Sequence, residues 1–130
     1  MENNAIEIFE SPDKKARFYF SYSSTNLTTG VLVLQPGAVL EKHNRPHAIE
    51  NLTQVSGMCL MTLFDESDTQ NEIKLHVGDG IRMPKGQWHI HSNPFKQISI
   101  TLFITQGDIL EIMKHLKKSN VKINSINDNR

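Results

Sequence analysis

The chain has 130 residues, of which 38% are hydrophobic and 22% are charged, a composition typical of a folded globular protein rather than a disordered one. Lysine plus arginine and aspartate plus glutamate number 14 each, so no charge excess indicates a nucleic-acid partner. Because the chain is long enough for one hydrophobic core and short for two, we predict a single domain over residues 1–130.

The single cysteine indicates a reducing compartment, and the apolar content indicates a protein without membrane contact. Cys59 cannot form an internal disulfide, and its place in the apolar run 58–64 predicts a buried side chain rather than a nucleophile. No apolar stretch approaches the ~20 residues needed to span a bilayer. The acidic N-terminal sequence lacks the features of a secretion signal, so we expect a cytoplasmic protein.

Short β-strands separated by turns are predicted along most of the chain. The N-terminal arm, up to about Lys15, contains one short alternating segment that fits an edge strand. The run 58–64 is apolar at both alternating sets of positions, which is typical of a strand buried on both faces or near a subunit contact. Residues 65–72 are predicted to form a polar hairpin loop. The other predicted strands cover residues 16–22, 31–34, 39–43, 50–55, 73–77, 81–83, 88–92 and 97–105.

The periodicity becomes helical near the C-terminus. Asp108, with Glu111 three residues later, resembles a capping box and predicts a helix over about 108–118. Its apolar stripe is expected to pack on the outside of the strands, followed by a frayed polar tail over 119–130. Many short strands and one terminal helix favour an all-β sandwich or barrel with its core over about 16–105. The stripe consists of Ile109, Ile112, Met113 and Leu116.

Two clusters of histidine, glycine and proline resemble the paired motifs of the cupin superfamily. In the first cluster Gly37, His43, Glu50 and Gly57 have the family spacing, although Arg45 stands where the family's second histidine is usual. The second cluster matches the motif at every position. Its matching residues are Gly78, Pro84, Gly86, His89 and Asn93.

This resemblance implies a double-stranded β-helix, also called a jelly roll or cupin barrel, and a site inside it. The glycines and prolines would then supply the corners at which strands cross between sheets. His43, Glu50 and His89 would be metal ligands, because two imidazoles and a carboxylate suit iron, manganese, nickel or zinc. The resemblance also implies a homodimer, with the N-terminal arm as a possible contact.

Arg45 complicates the metal site, because a protonated guanidinium has no lone pair for a metal and repels a cation. Three alternatives follow. His47 replaces the missing histidine, His91 contributes from the neighbouring strand, or the pocket holds no metal and Arg45 pairs with Glu50 or binds an anionic ligand. His91 shares a face with His89, and both His47 and His91 also suit supporting hydrogen-bonding roles.

Two classes of function fit these residues. The first is a metal-dependent enzyme acting on a small molecule, a dioxygenase or a sugar isomerase or epimerase, as the resemblance implies. The second is a non-catalytic domain that binds or senses a small anionic molecule in the same cavity. No glycine-rich phosphate loop or nucleophile triad occurs, so no nucleotide cofactor is expected. Phe103, Trp88, Met58 and Met61 are candidates for the pocket lining, although plain core packing explains each of them better.

Overall fold

The computed structural model describes residues 6–123, which form eleven strands and one helix. The elements, in chain order, are β1 (Glu7–Glu10), β2 (Ala16–Ser23), β3 (Leu27–Leu34), β4 (Val39–His43), β5 (Ala48–Ser56), β6 (Cys59–Phe64), β7 (Gln70–Leu75), β8 (Gly80–Met83), β9 (Trp88–Ser92), β10 (Ser99–Gly107), α1 (Leu110–Ser119) and β11 (Val121–Ile123).

The strands form two antiparallel sheets with a jelly-roll arrangement, which confirms the predicted fold class. The larger sheet has the order β11-β1-β2-β3-β10-β5-β8, and the smaller has the order β4-β9-β6-β7. Strands that are distant in the chain are neighbours in space. β10 lies between β3 and β5, and β9 lies between β4 and β6. This crossing brings the two sequence clusters to one end of the barrel.

The core lies between the inner faces of the sheets. In β3 every second residue is buried, as expected for a strand with one face in the core. Phe20 and Phe103 meet edge to face, with ring centroids 5.9 Å apart, where Gly30 leaves room for the Phe103 ring. A Cβ atom on Gly30 would approach the Tyr19 carbonyl and the Phe103 ring too closely, so this strand position requires glycine.

Both faces of β6 are largely covered, in agreement with the two-sided apolar pattern of the sequence. Cys59 and Met61 are fully buried on the inner face. On the outer face Phe64 is buried beneath the Lys42 ammonium group, which lies 4.1 Å from the ring centroid. The prediction of a buried Cys59 is confirmed by its complete enclosure, and this burial raises the pKa of its thiol to about 11.

The structure corrects the predicted position of the helix stripe. The helix α1 begins at Leu110, two residues after the predicted cap, and the Asp108 carboxylate accepts a hydrogen bond from the Leu110 backbone N–H. The predicted stripe does not pack on the outside of the barrel. Instead it lies over the barrel mouth, where its apolar side chains are removed from water against the apolar lining of the cavity. The stripe residues Ile109, Ile112, Met113 and Leu116 all line the cavity.

Both chain ends also differ from the sequence prediction. Residues 121–123, predicted as part of a frayed tail, form β11 and pair with β1. The N-terminal arm supplies β1, which is not the predicted edge strand, because it pairs with β2 on one side and β11 on the other. The tail beyond residue 123 lies outside the described residues. Strand β7 begins at Gln70, which shortens the predicted loop 65–72.

Within residues 6–123, no helix has both the length and the apolar character that crossing a membrane requires.

Candidate functional site

Strand register places two of the predicted site histidines side by side. His43 on β4 is the direct cross-strand partner of His89 on β9. Because antiparallel partners point to the same face, both rings turn into the barrel, where their centroids lie 4.2 Å apart. His91, two residues after His89, occupies the same inner face and is buried as well.

Glu50 reaches the same place from the opposite sheet. It lies on β5 beside Thr105 of β10, whose hydroxyl donates a hydrogen bond of 3.2 Å to Glu50 Oε2. The other carboxylate oxygen, Oε1, lies 3.6 Å from His89 Nε2. The structure therefore brings together His43, Glu50 and His89, as the sequence predicted from two separate clusters.

Arg45 also points into the barrel. Its side chain is only 16% exposed, and its Nε lies 4.0 Å from Glu50 Oε2, too far for a hydrogen bond. Among the described residues, Arg45 Nε is buried without any hydrogen-bond partner. The second cluster holds the backbone at Arg45 in place, because the Arg45 carbonyl accepts a hydrogen bond of 3.0 Å from the Gly86 N–H.

The remaining walls of the cavity are apolar. Phenylalanine and leucine side chains from the larger sheet form one side, and the stripe of α1 forms the other. The inner cavity has a volume of about 50 Å³, enough for roughly four water molecules. Between α1 and β4 lies a larger groove of about 580 Å³, and His43, Arg45 and Ile112 line both spaces. The apolar wall residues are Phe18, Phe20, Leu32, Leu40, Leu52 and Phe103.

Backbone carbonyls fix the tautomers of two histidines. His89 Nδ1 lies 2.9 Å from the Gln87 carbonyl, and His43 Nδ1 is hydrogen-bonded to the Glu41 carbonyl. Because a carbonyl oxygen only accepts hydrogen bonds, each Nδ1 carries the proton and donates it. Each neutral ring therefore keeps a lone pair at Nε2, and that of His89 faces the Glu50 carboxylate.

Burial keeps the histidines uncharged. Desolvation, followed by the nearby Arg45 charge, lowers the pKa of His43 to about 3. Desolvation lowers the pKa of His91 to about 3, and it also lowers the pKa of His89 despite the neighbouring Glu50 carboxylate. At neutral pH the three histidines therefore add no positive charge to the site.

The two alternative histidines have different positions. His91 lines the cavity, and its Nε2 lies 3.5 Å from the Thr101 hydroxyl, which itself donates to the Gln54 amide oxygen. His91 Nε2 thus faces the buried hydrogen bond between Thr101 and Gln54. His47 lies apart from the cavity with an exposed side chain, because the chain turns outward at Pro46. The structure does not bring His47 to the predicted centre.

The donor set fits a metal ion poorly. Within residues 6–123, no group of three or more histidine, cysteine, aspartate or glutamate side chains is arranged to hold a metal. In addition, the guanidinium of Arg45 places a positive charge beside the carboxylate that a metal would need. Its buried Nε–H instead requires an acceptor.

Sequence reasoning missed Thr101, Thr105 and the helix stripe as parts of the site. The alternation of β10 could have identified the two threonines, because they share the inward face with Phe103. Of the other lining candidates, only Phe103 lines the cavity. Met61 lies in the hydrophobic core, and Met58 lies outside the cavity lining. Trp88 is 47% exposed and lines a separate pocket.

A model of the cupin domain family matches residues 30–112, which contain both clusters and the first part of α1. The chain belongs to the cupin family. No curated protein matches this cupin.

Solved structures share the cupin fold at low sequence identity. Oxalate decarboxylase from Bacillus subtilis, determined at pH 4.6, has a TM-score of 0.67 and 24% identity over 76% of this chain. Peruvianin-I, a cysteine peptidase from Thevetia peruviana latex, has a TM-score of 0.66 and 17% identity over 75% of this chain. The aligned region covers only 27% of the decarboxylase chain and 64% of the peptidase chain, so these likenesses establish the fold.

The buried histidines predict a pH-dependent stability. Because the pKa of His91 is about 3 in the folded chain and near 6.5 when unfolded, only the unfolded chain binds this proton between those values. The free energy of unfolding should therefore be highest above about pH 6.5 and fall towards pH 3. In urea unfolding at pH 7, 6 and 5, His91→Gln should reduce the slope by up to about 1.4 kcal/mol per pH unit.

Asn71→Gln, at an exposed position and without any change of a titratable group, provides the control and should leave this slope unchanged. An identical slope in the wild type and His91→Gln would show that His91 is not held neutral by the fold.

Proposed function

We propose that this cupin binds a small molecule with an apolar body and a carboxylate group in its barrel. The single observation that carries the proposal is the buried Arg45 Nε–H without a hydrogen-bond partner. An unpaired buried donor costs about 1–3 kcal/mol, more when it is charged. A carboxylate oxygen of a ligand would recover this cost, and the guanidinium fork matches a carboxylate in shape and charge.

The walls of the cavity and groove suit the apolar body of the proposed ligand. A carboxylate at Arg45 lies at the junction between the inner cavity and the groove along α1. The body of the ligand can then contact Ile112 and Leu116 of the helix and Leu40 of β4. Cavities with mostly apolar walls and a few polar groups that fix orientation are typical of small-molecule sites. On this proposal the domain is a binding or sensor module rather than an enzyme.

Matched acids and amides test the carboxylate directly. 4-Methylpentanoate and benzoate should bind the wild type more tightly than 4-methylpentanamide and benzamide, as measured by isothermal titration calorimetry. Arg45→Met should weaken the acids about tenfold or more, because it removes a charge-assisted hydrogen bond worth about 1.5–3 kcal/mol. It should leave amide binding nearly unchanged.

Arg82→Met is the matched control, because Arg82 is an exposed arginine on β8 outside the cavity, and acid binding should persist in this variant. Equal affinity for acids and amides would contradict the proposal. So would full acid binding by Arg45→Met, or failure of both acids to bind at millimolar concentration.

A metal centre at His43, Glu50 and His89 is the second candidate. The observation that favours it is the pair of Nε2 lone pairs, since metal-binding histidines commonly donate Nδ1–H to a carbonyl. The solved structures of oxalate decarboxylase include one concerned with its Mn(II) centres. With a divalent iron, manganese, nickel or zinc ion bound as a Lewis acid or redox centre, a dioxygenase or a sugar isomerase or epimerase would become the expected class. The Arg45 charge argues against this candidate.

We also propose that the chain forms a homodimer through the outer face of its larger sheet. The outward residues of the central strands β3 and β10 include no charged side chain, and Leu102 and Ile104 remain 37% and 39% exposed. A solvated sheet face normally carries polar residues at such positions. The outward residues are Leu27, Thr29, Val31, Val33, Ile100, Leu102, Ile104 and Gln106.

The size and charge of this face suit a second copy of the chain. Strands β2, β3, β10 and β5, of eight or nine residues each, cover roughly 500 Å². Two stacked copies would bury roughly 1,000 Å² in total, near the lower size limit of specific interfaces. Because the central strands present no charge outward, a two-fold stack would bury no unpaired charge there.

Leu102→Lys should dissociate this dimer, because it would bury two like charges in the centre of the interface. Sedimentation equilibrium should show a wild-type dimer and a Leu102→Lys monomer. Val77→Lys, at an apolar residue that is 64% exposed outside this face, should remain dimeric. A wild-type monomer at about 0.1 mM, or a dimeric Leu102→Lys protein, would contradict the proposed interface.

A further inference from the structure

Two hydrogen-bond acceptors face each other beside Arg45. His89 carries its proton at Nδ1, where it is donated to the Gln87 carbonyl, so its Nε2 is an acceptor. This nitrogen lies 3.6 Å from Glu50 Oε1, which is also an acceptor. Two acceptors at this distance repel each other unless a group that carries donor hydrogens lies against both.

A group with at least two donor hydrogens fits this gap; water and an ammonium group both have them, but only the ammonium group also carries a positive charge. A hydroxyl group has a single hydrogen and satisfies one acceptor fully, whereas an ammonium group has three donors and can reach both. An ammonium group also places a positive charge beside the Glu50 carboxylate. Thr105 donates to the other carboxylate oxygen, Oε2, whereas Oε1 is the oxygen that faces His89 Nε2.

The charges of the cavity also favour a ligand with an ammonium group. Arg45 and Glu50 contribute one charge of each sign, separated by 4.0 Å without a hydrogen bond between them. A ligand with a carboxylate alone would place its charge close to Glu50, which costs binding energy in a poorly solvated cavity. A ligand with an adjacent carboxylate and ammonium group matches both residues and adds no net charge.

We infer that the ligand is an α-amino acid with an apolar side chain, held by Arg45 at its carboxylate and by Glu50 and His89 at its amino group. This inference rests on the proposed carboxylate site and adds the chemistry of the second group. The side chain would lie in the groove between α1 and β4, whose volume of about 580 Å³ accommodates an aliphatic residue. The inner cavity of about 50 Å³ suits only the compact polar end.

Three ligands with the same isobutyl body separate the contributions of the two groups. L-Leucine carries both groups, 4-methylpentanoate lacks the amino group, and 3-methylbutylamine lacks the carboxylate. In calorimetric titrations of the wild type, leucine should bind about tenfold or more tighter than either analogue, because each analogue loses charge-assisted hydrogen bonds.

Glu50→Gln tests the residue assigned to the amino group. It preserves the side-chain shape and the acceptor for Thr105 while removing the negative charge. Leucine affinity should fall to that of 4-methylpentanoate, whose own binding should be retained or improved. Thermal unfolding with circular dichroism checks that the variant folds, and the ligand series on the wild type needs no substitution.

The outcomes distinguish this inference from the proposed function. If 4-methylpentanoate binds the wild type as tightly as leucine, or Glu50→Gln keeps the preference for leucine, the inference is wrong and the carboxylate site stands. If 3-methylbutylamine binds as tightly as leucine and Arg45→Met does not weaken leucine, the carboxylate site itself is wrong. Failure of all three ligands to bind at millimolar concentration would overturn both.

Discussion

The chemistry of the cavity depends on one pair of groups, the guanidinium of Arg45 and the carboxylate of Glu50. They lie 4.0 Å apart inside a barrel whose walls are mostly apolar. Neither charge can remain buried without cost unless it has a partner. Their separation is too long for a hydrogen bond, so each keeps bonding capacity for a third group. The neutral histidines around them, held neutral by burial, offer lone pairs rather than charge.

Sequence patterns predicted the fold and the convergence of the site, but not how Arg45 and the helix complete it. The alternation around His89 and His91 depends on local geometry, which strand periodicity expresses directly. His43 and Glu50 were instead identified by their resemblance to the cupin motif. The backbone at Arg45 is held by the hydrogen bond between its carbonyl and Gly86, forty-one positions away in the chain, and local periodicity does not express such a long-range contact. The helical periodicity identified an apolar stripe, but what a stripe covers is decided by tertiary packing.

The fold alone does not decide what this cupin does, because the same barrel serves different chemistries. Its solved structural neighbours include a decarboxylase and a cysteine peptidase. The single cysteine of this chain is buried, and burial raises the pKa of its thiol to about 11, so Cys59 is a core residue rather than a nucleophile. We therefore base the proposed function on Arg45, Glu50 and the histidines; of these, Arg45 is the departure from the usual cupin motif.

Whether Arg45 replaces a metal ion is tested most directly by elemental analysis of the wild-type protein, purified without a metal-affinity step and without chelator. Our account predicts far less than one equivalent of iron, manganese, nickel or zinc, also after incubation with each metal and removal of the excess. Arg45→His, which restores the usual motif, should retain metal under the same conditions. Near-stoichiometric metal in the wild type would contradict the account, because it would show that His43, Glu50 and His89 bind a cation beside Arg45.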